Sequence, residues 1–192
     1  MNRCTRNLVA LYDAATEADL VLGRDWYAEA HRIALLVGKG DANMGAGILA
    51  ALSPQTSWKE NVKRALAATR TKRGNFRGGH TGACLGKAER IYRGFHPLDV
   101  LKGSKERAFY IGILTSGATQ EVCIDRHAIG ACLGRPATDA ERSLTNRTMQ
   151  GRKDYAEYSD AYREAASILP YTAAQLQAIV WVVWRRQNNV NT

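Results

Sequence analysis

The sequence has no apolar run that approaches the ~20 residues a helix needs to cross a bilayer. Its first six residues include the basic Arg3 and Arg6, but Asp13, Glu17 and Asp19 follow soon after, which is not the pattern of a signal peptide. We therefore expect a protein without membrane contact, and the cytoplasm is the predicted compartment.

Paired cysteine motifs are also absent. The four cysteines, Cys4, Cys84, Cys123 and Cys132, include no CxxC pair. That spacing argues against a structural zinc or iron–sulfur site, and a reducing compartment is the simplest setting. No metal and no cofactor are predicted.

No segment of useful length alternates apolar and polar residues as a half-buried strand would. Apolar residues instead recur at helical spacing, which predicts an all-α fold of about ten helices. There is no internal repeat of solenoid length and no low-complexity tract.

Negative charge is scarce relative to positive charge. Lys and Arg number 27, whereas Asp and Glu number 18, for a net charge of +9 over 192 residues. This length suits one domain or two small lobes sharing a cleft. The charge indicates an acidic partner, most often nucleic acid, although scattered surface lysines on a basic protein are the alternative.

Helix starts are predicted from polar side chains that cap a first turn. The candidates are Thr16-x-x-Asp19, Ser57-x-x-Glu60, Thr172-x-x-Gln175, Asp25 and Asp41. Gly38 and Gly40 should end one helix, and Pro97 suits the first position of another.

The stretch from Pro97 to Gly134 organises the chain. A short apolar helix is predicted to end at the Gly103 turn, and a second helix follows at once behind basic residues. A linker then places Asp125 at the first turn of a further helix.

Two motifs in this stretch resemble those of the helix-hairpin-helix DNA glycosylase superfamily, which includes endonuclease III. Leu101–Lys105 corresponds to the family's Leu-Pro-Gly-Val-Gly, and Ile124–His127 corresponds to its Val-Asp-Thr-His. Arg107 falls on the catalytic lysine of the bifunctional members, at the family's separation from Asp125. Lys105 stands where the family has the second hairpin glycine.

Three further segments line up in the family's order. Ile48–Ser57 is similar to the family's Leu-Leu-Ser-x-Gln-x-Thr, and Asn61 follows it as an asparagine does in endonuclease III. Gly86–Ile91 is similar to the Lys-Ala-x-x-Ile helix, and Trp181–Trp184 lies where the family has an apolar helix behind the aspartate. The resemblance covers roughly Gly47 to Arg185.

The resemblance implies two helical lobes with a cleft between them. One lobe would be residues 39–118 with the hairpin, and the other would combine residues 1–38 and 119–192. The cleft would hold an extruded nucleotide with Asp125 at its mouth. The chain ends before the four-cysteine loop of endonuclease III, so no iron–sulfur cluster is expected, and a monomer is predicted.

Asp125 is the candidate catalytic residue. Breaking an N-glycosidic bond builds positive charge on the sugar, which a nearby carboxylate can stabilise while it orients or deprotonates water. The alternative is that Asp125 only caps a helix, and both roles can hold at once. Arg107 cannot form a Schiff base, so lyase activity is not expected through that position.

The remaining candidates are DNA contacts and base-pocket residues. The phosphate contacts are Lys102, Gly103, Ser104, Lys105 and Arg107, with a solvated basic face as the alternative.

Four aromatic and polar residues could lie closer to a flipped base. Gln55 is either a wedge inserted into the gap left by the base or a turn residue. His127 either contacts phosphate or substrate, or is a structural residue of a first helical turn. Trp58 and Tyr110 are candidate base-pocket residues, whereas core packing is favoured for Trp181 and Trp184.

The sequence therefore predicts a monofunctional DNA glycosylase-like enzyme. Two alternatives remain: a base-modifying transferase of the same fold that acts on hypermodified DNA, and a non-catalytic DNA-binding module.

Overall fold

A computed structural model describes residues 1–143 and 149–189. Within these residues the chain is all-α, as predicted, with eleven helices and no strand. The helices are α1 (Arg3–Asp13), α2 (Glu17–Val37), α3 (Ala42–Ala51), α4 (Trp58–Thr69), α5 (Gly82–Tyr92), α6 (Pro97–Val100), α7 (Ser104–Leu114), α8 (Arg126–Leu133), α9 (Asp139–Ser143), α10 (Met149–Ala166) and α11 (Ala173–Gln187).

Most predicted helix starts are confirmed by their capping bonds. Thr16 and Thr172 form reciprocal capping boxes at α2 and α11, and the Asp41 side chain accepts from Met44 N at α3. Ser57 accepts from Glu60 N at α4.

The predicted cap at Asp25 is wrong, because α2 runs unbroken from Glu17 to Val37. The Thr16 capping box already begins this helix, and no proline interrupts it before Gly38. Asp25 lies mid-helix and forms an exposed ion pair with Arg24 at 2.8 Å.

The hairpin consists of α6, Gly103 and α7. Pro97 occupies the first turn of α6, as predicted, and Gly103 is the N-cap of α7 with φ −79°. Lys105 lies within the first turn of α7, so the residue that replaces the family's second glycine has ordinary helical backbone.

The buried side chains form two clusters. The first draws on α2 to α7, and the second on α1, α8, α10 and the segment before α8. Helix α11 contributes Ala174 and Ala178 to the first cluster, and Leu176 and Val180 to the second. The division into one lobe of residues 39–118 and another of residues 1–38 and 119–192 stays a prediction. The buried hydrophobic residues of α2 belong to the first cluster.

The structure bears on the cysteines, on the possibility of a membrane-spanning helix and on the possibility of a metal site. Cys4 of α1 and Cys132 of α8 are joined as a disulfide, while Cys84 and Cys123 are free and buried. Among residues 1–143 and 149–189, no helix has the length and apolar character to cross a membrane, and no group of three His, Cys, Asp or Glu side chains could hold a metal ion.

Candidate functional site

A cavity of about 140 Å³ lies where α2, α4, α7 and α11 meet the start of α8. An engineered apolar cavity of about 150 Å³ holds benzene, so this space suits a single six-membered ring. Its wall combines aromatic rings with a small number of polar side chains, which is typical of small-molecule sites.

Asp125 lines this cavity and is also the N-cap of α8. Its Oδ1 accepts hydrogen bonds from the backbone N–H of His127 at 2.9 Å and of Ala128 at 2.8 Å. Because both bonds end on Oδ1, the carboxylate is held in one orientation while Oδ2 remains available to an occupant of the cavity. The helix-cap prediction is confirmed, and the same side chain faces the cavity.

Four aromatic side chains, Trp26, Trp58, Phe109 and Trp181, form the apolar wall. The Trp26 ring centroid lies 5.1 Å from that of Trp58, 5.9 Å from that of Phe109 and 6.4 Å from that of Trp181. Sequence reasoning identified Trp58 but assigned Trp181 to the core and missed Trp26 and Phe109. Their helical spacing is that of ordinary core residues, so no sequence signal marked them.

Two buried amides complete the wall. Asn61 is 2% exposed and its Nδ2 donates to the Leu49 carbonyl at 2.9 Å, while its Oδ1 has no partner within the described residues. Gln177 is 6% exposed and accepts at Oε1 from the Tyr27 hydroxyl at 3.3 Å. Sequence reasoning noted Asn61 only as part of the resemblance and missed Gln177.

Positive charge surrounds the carboxylate. The exposed Lys105 of α7 lines the cavity, and the Arg185 guanidinium lies 4.3 Å above the Trp181 ring. Burial, followed by the charges of Arg126, Arg185 and Lys105, lowers the pKa of His127, although Asp125 opposes this.

A thiol also lies in the cavity wall. Burial raises the pKa of Cys123 to about 12, so this group is a neutral thiol at pH 7 and a poor nucleophile.

Apart from Lys105, the candidate phosphate-binding residues of the hairpin lie outside the cavity. Lys102 and Ser104 are exposed, and no side chain caps α7 at Gly103. The first N–H groups of α7 can therefore bind an anion. Arg107 instead donates to the Leu98 carbonyl at 3.3 Å, so it braces the hairpin and does not line the cavity.

Gln55 and Tyr110 occupy different settings. Gln55 is exposed with φ +56°, a left-handed conformation that is strained for a residue with a Cβ, and its neighbours Ser53 and Thr56 line the cavity. Tyr110 is 2% exposed and donates to Asn43 Oδ1 within the first cluster. The structure does not bring Tyr110 to the cavity wall.

Comparison with known proteins yields one relationship. No curated protein and no solved structure matches this chain. A family model matches residues 1–188, which is nearly the whole chain, and the protein therefore belongs to the family of unknown function DUF7178.

Proposed function

We propose that this protein is a DNA glycosylase-like enzyme that extrudes a base from DNA and hydrolyses its N-glycosidic bond. One observation carries the proposal: the Asp125 carboxylate is fixed through Oδ1 at a helix start, and it lines an aromatic cavity of single-ring size. A carboxylate that serves only as a cap would not need such a cavity.

The two-lobed glycosylase-like arrangement is part of this proposal. Two buried clusters support it, as does a hairpin whose second helix, α7, contributes Lys105 and Phe109 to the cavity. In this arrangement α11 joins the two clusters and α8 presents Asp125 between them.

The chemistry follows from the position of the carboxylate. As the bond between sugar and base lengthens, positive charge develops on the sugar, and Asp125 stabilises that charge. A water molecule held at Oδ2 then attacks the sugar carbon and gives its proton to the carboxylate, while the base leaves with the bonding electron pair and takes up a proton from solvent. The products are a free base and an abasic site.

DNA would be gripped beside the cavity. Lys102, Lys105 and the uncapped first turn of α7 offer donors to backbone phosphates, and the net charge of +9 favours a polyanion. Gln55, exposed next to two cavity residues, would fill the gap left by the flipped base.

The test is a base-release assay on duplexes that carry damaged or modified bases. We expect Asp125→Asn to lose release by at least about a hundredfold while it keeps its fold and its DNA affinity, because asparagine still caps a helix well. Asp41→Asn is the matched control, since Asp41 caps α3 and does not line the cavity. Full activity of Asp125→Asn would remove the carboxylate from the mechanism.

The same assay separates the alternatives. A non-catalytic DNA-binding module would bind with a steep salt dependence and leave every base in place. A transferase would alter the base without releasing it. A borohydride-trapped covalent complex that disappears in Lys105→Ala would contradict the purely hydrolytic mechanism.

A further inference from the structure

We infer that the cavity takes a single-ring base of the uracil type, recognised through its ring N–H by the unpaired Oδ1 of Asn61. This inference deepens the proposed function, because it concerns the occupant of the same cavity.

The orientation of the Asn61 amide is determined by its partner. A backbone carbonyl can only accept, so the 2.9 Å bond to Leu49 must come from Nδ2, and Oδ1 necessarily points elsewhere. Oδ1 is buried without a donor, although buried acceptors are normally paired. A ligand N–H that meets Oδ1 would satisfy it.

The other polar groups of the wall include both donors and acceptors: Ser53 Oγ donates to the Ala50 carbonyl at 2.9 Å and can only accept from an occupant, and Asp125 is a carboxylate. Gln177 accepts from Tyr27 through Oε1, which leaves its Nε2 to donate, and Lys105 offers an ammonium group. The acceptor Asn61 Oδ1, with Gln177 Nε2 and Lys105 as donors on the same wall, matches a uracil edge, where one ring N–H lies between two carbonyls. Cytosine has an unprotonated ring nitrogen at that position and fits less well.

The size of the cavity agrees with this assignment. About 140 Å³ suits one ring better than the two fused rings of a purine, and the aromatic wall provides faces for stacking. Asn61 Oδ1 has almost no surface open to water. A ligand N–H therefore meets Oδ1 only when the wall beside Asn61 shifts.

Binding of free bases to the full chain tests the inference without requiring catalysis. Amide chemical shifts would be followed by NMR during titration with uracil, 1-methyluracil, 1,3-dimethyluracil and cytosine. We expect the first two to bind alike and 1,3-dimethyluracil to bind at least about tenfold more weakly than 1-methyluracil, because its second methyl group replaces the N3–H that donates to Asn61 Oδ1. Cytosine should also be weaker.

A pair of variants connects this discrimination to Asn61. Asn61→Leu should bind 1-methyluracil and 1,3-dimethyluracil equally. Asn7→Leu should keep the preference, since Asn7 also donates to a backbone carbonyl, that of Cys132 at 2.7 Å, but it does not line the cavity. If Asn61→Leu does not fold, the comparison of methylated ligands on the native protein still tests whether the ring N–H is recognised.

The inference is overturned if 1,3-dimethyluracil binds as tightly as 1-methyluracil, or if no uracil binding is detected up to its solubility limit. Selective uracil binding without base release from any duplex would refute the proposed hydrolysis and leave the inference standing. Base release whose rate does not change on N3 methylation of the base would refute the inference and leave the proposed hydrolysis standing.

Discussion

Lys87 Nζ contacts both carboxylate oxygens of Glu106, at 2.5 and 2.8 Å, and so ties α5 to the first turn of α7. The two side chains are only 27% and 13% exposed. The pair is therefore partly shielded from water, and Glu106 lies in the same first turn of α7 as Lys105.

We expect Glu106→Ala to lower the free energy of unfolding by about 2 kcal/mol, because it leaves the Lys87 ammonium partly buried without its partner. Glu89→Ala is the control: it breaks the Arg93 pair, whose side chains are 68% and 42% exposed, and should cost less than about 0.5 kcal/mol. Urea unfolding measures both. Equal losses would show that the burial of the Lys87 pair has no energetic consequence.

Gln55 lets backbone strain be separated from side-chain function. Gln55→Gly relieves about 1–2 kcal/mol of left-handed strain against ~0.5–1 kcal/mol of added chain entropy, so we expect a net gain of about 0.5–1 kcal/mol. Gln55→Ala keeps the strain and should leave stability nearly unchanged. Both variants should release base more slowly if the side chain is the wedge.

Thermal melting and the base-release assay measure the two effects. If Gln55→Gly is both stabilised and fully active, the Gln55 side chain is not the wedge.

The contact between α2 and α11 depends on Gly23. A Cβ at this position would lie 2.3 Å from Ile179 Cα, a backbone atom that cannot turn aside as a side chain can. We expect Gly23→Ala to lower the free energy of unfolding by about 3 kcal/mol or more. Gly86→Ala, on α5 with no atom within 4 Å of the added Cβ, should instead raise it by about 0.5–1 kcal/mol. Chemical denaturation that ranks the variants in the opposite order would contradict this packing.

His127 should make stability depend on pH. Burial and nearby cations lower its pKa below 6.5, and its Nε2 accepts from Arg126 Nε at 3.1 Å, which requires the neutral ring. Below about pH 6.5 the unfolded chain then binds a proton that the folded protein resists, so the free energy of unfolding falls as pH falls.

We expect the native protein to lose stability between about pH 7 and pH 5.5, and His127→Gln to lose less over this range. Denaturant midpoints at each pH give the slopes. Parallel slopes for the two proteins would mean that His127 titrates alike in both states.

The sequence by itself determined the all-α fold and most helix ends, because a cap is satisfied within three residues of the chain. Thr16 and Asp19 exchange their bonds locally, and Asp125 binds the two N–H groups that follow it. The same local rule failed at Asp25, because this residue lies inside α2, which begins at Glu17 and continues to Val37.

Only the tertiary structure decided which side chains share the cavity. Trp26, Asn61 and Gln177 come from three helices distant in sequence, and nothing in their local pattern separates them from core residues. Lys105 and Arg107 differ by about 200° around α7, since a helix turns about 100° per residue, so one lines the cavity while the other braces the hairpin. The side of a helix that faces the cavity is set by packing against neighbouring helices. Those contacts cannot be read from the sequence of the helix alone.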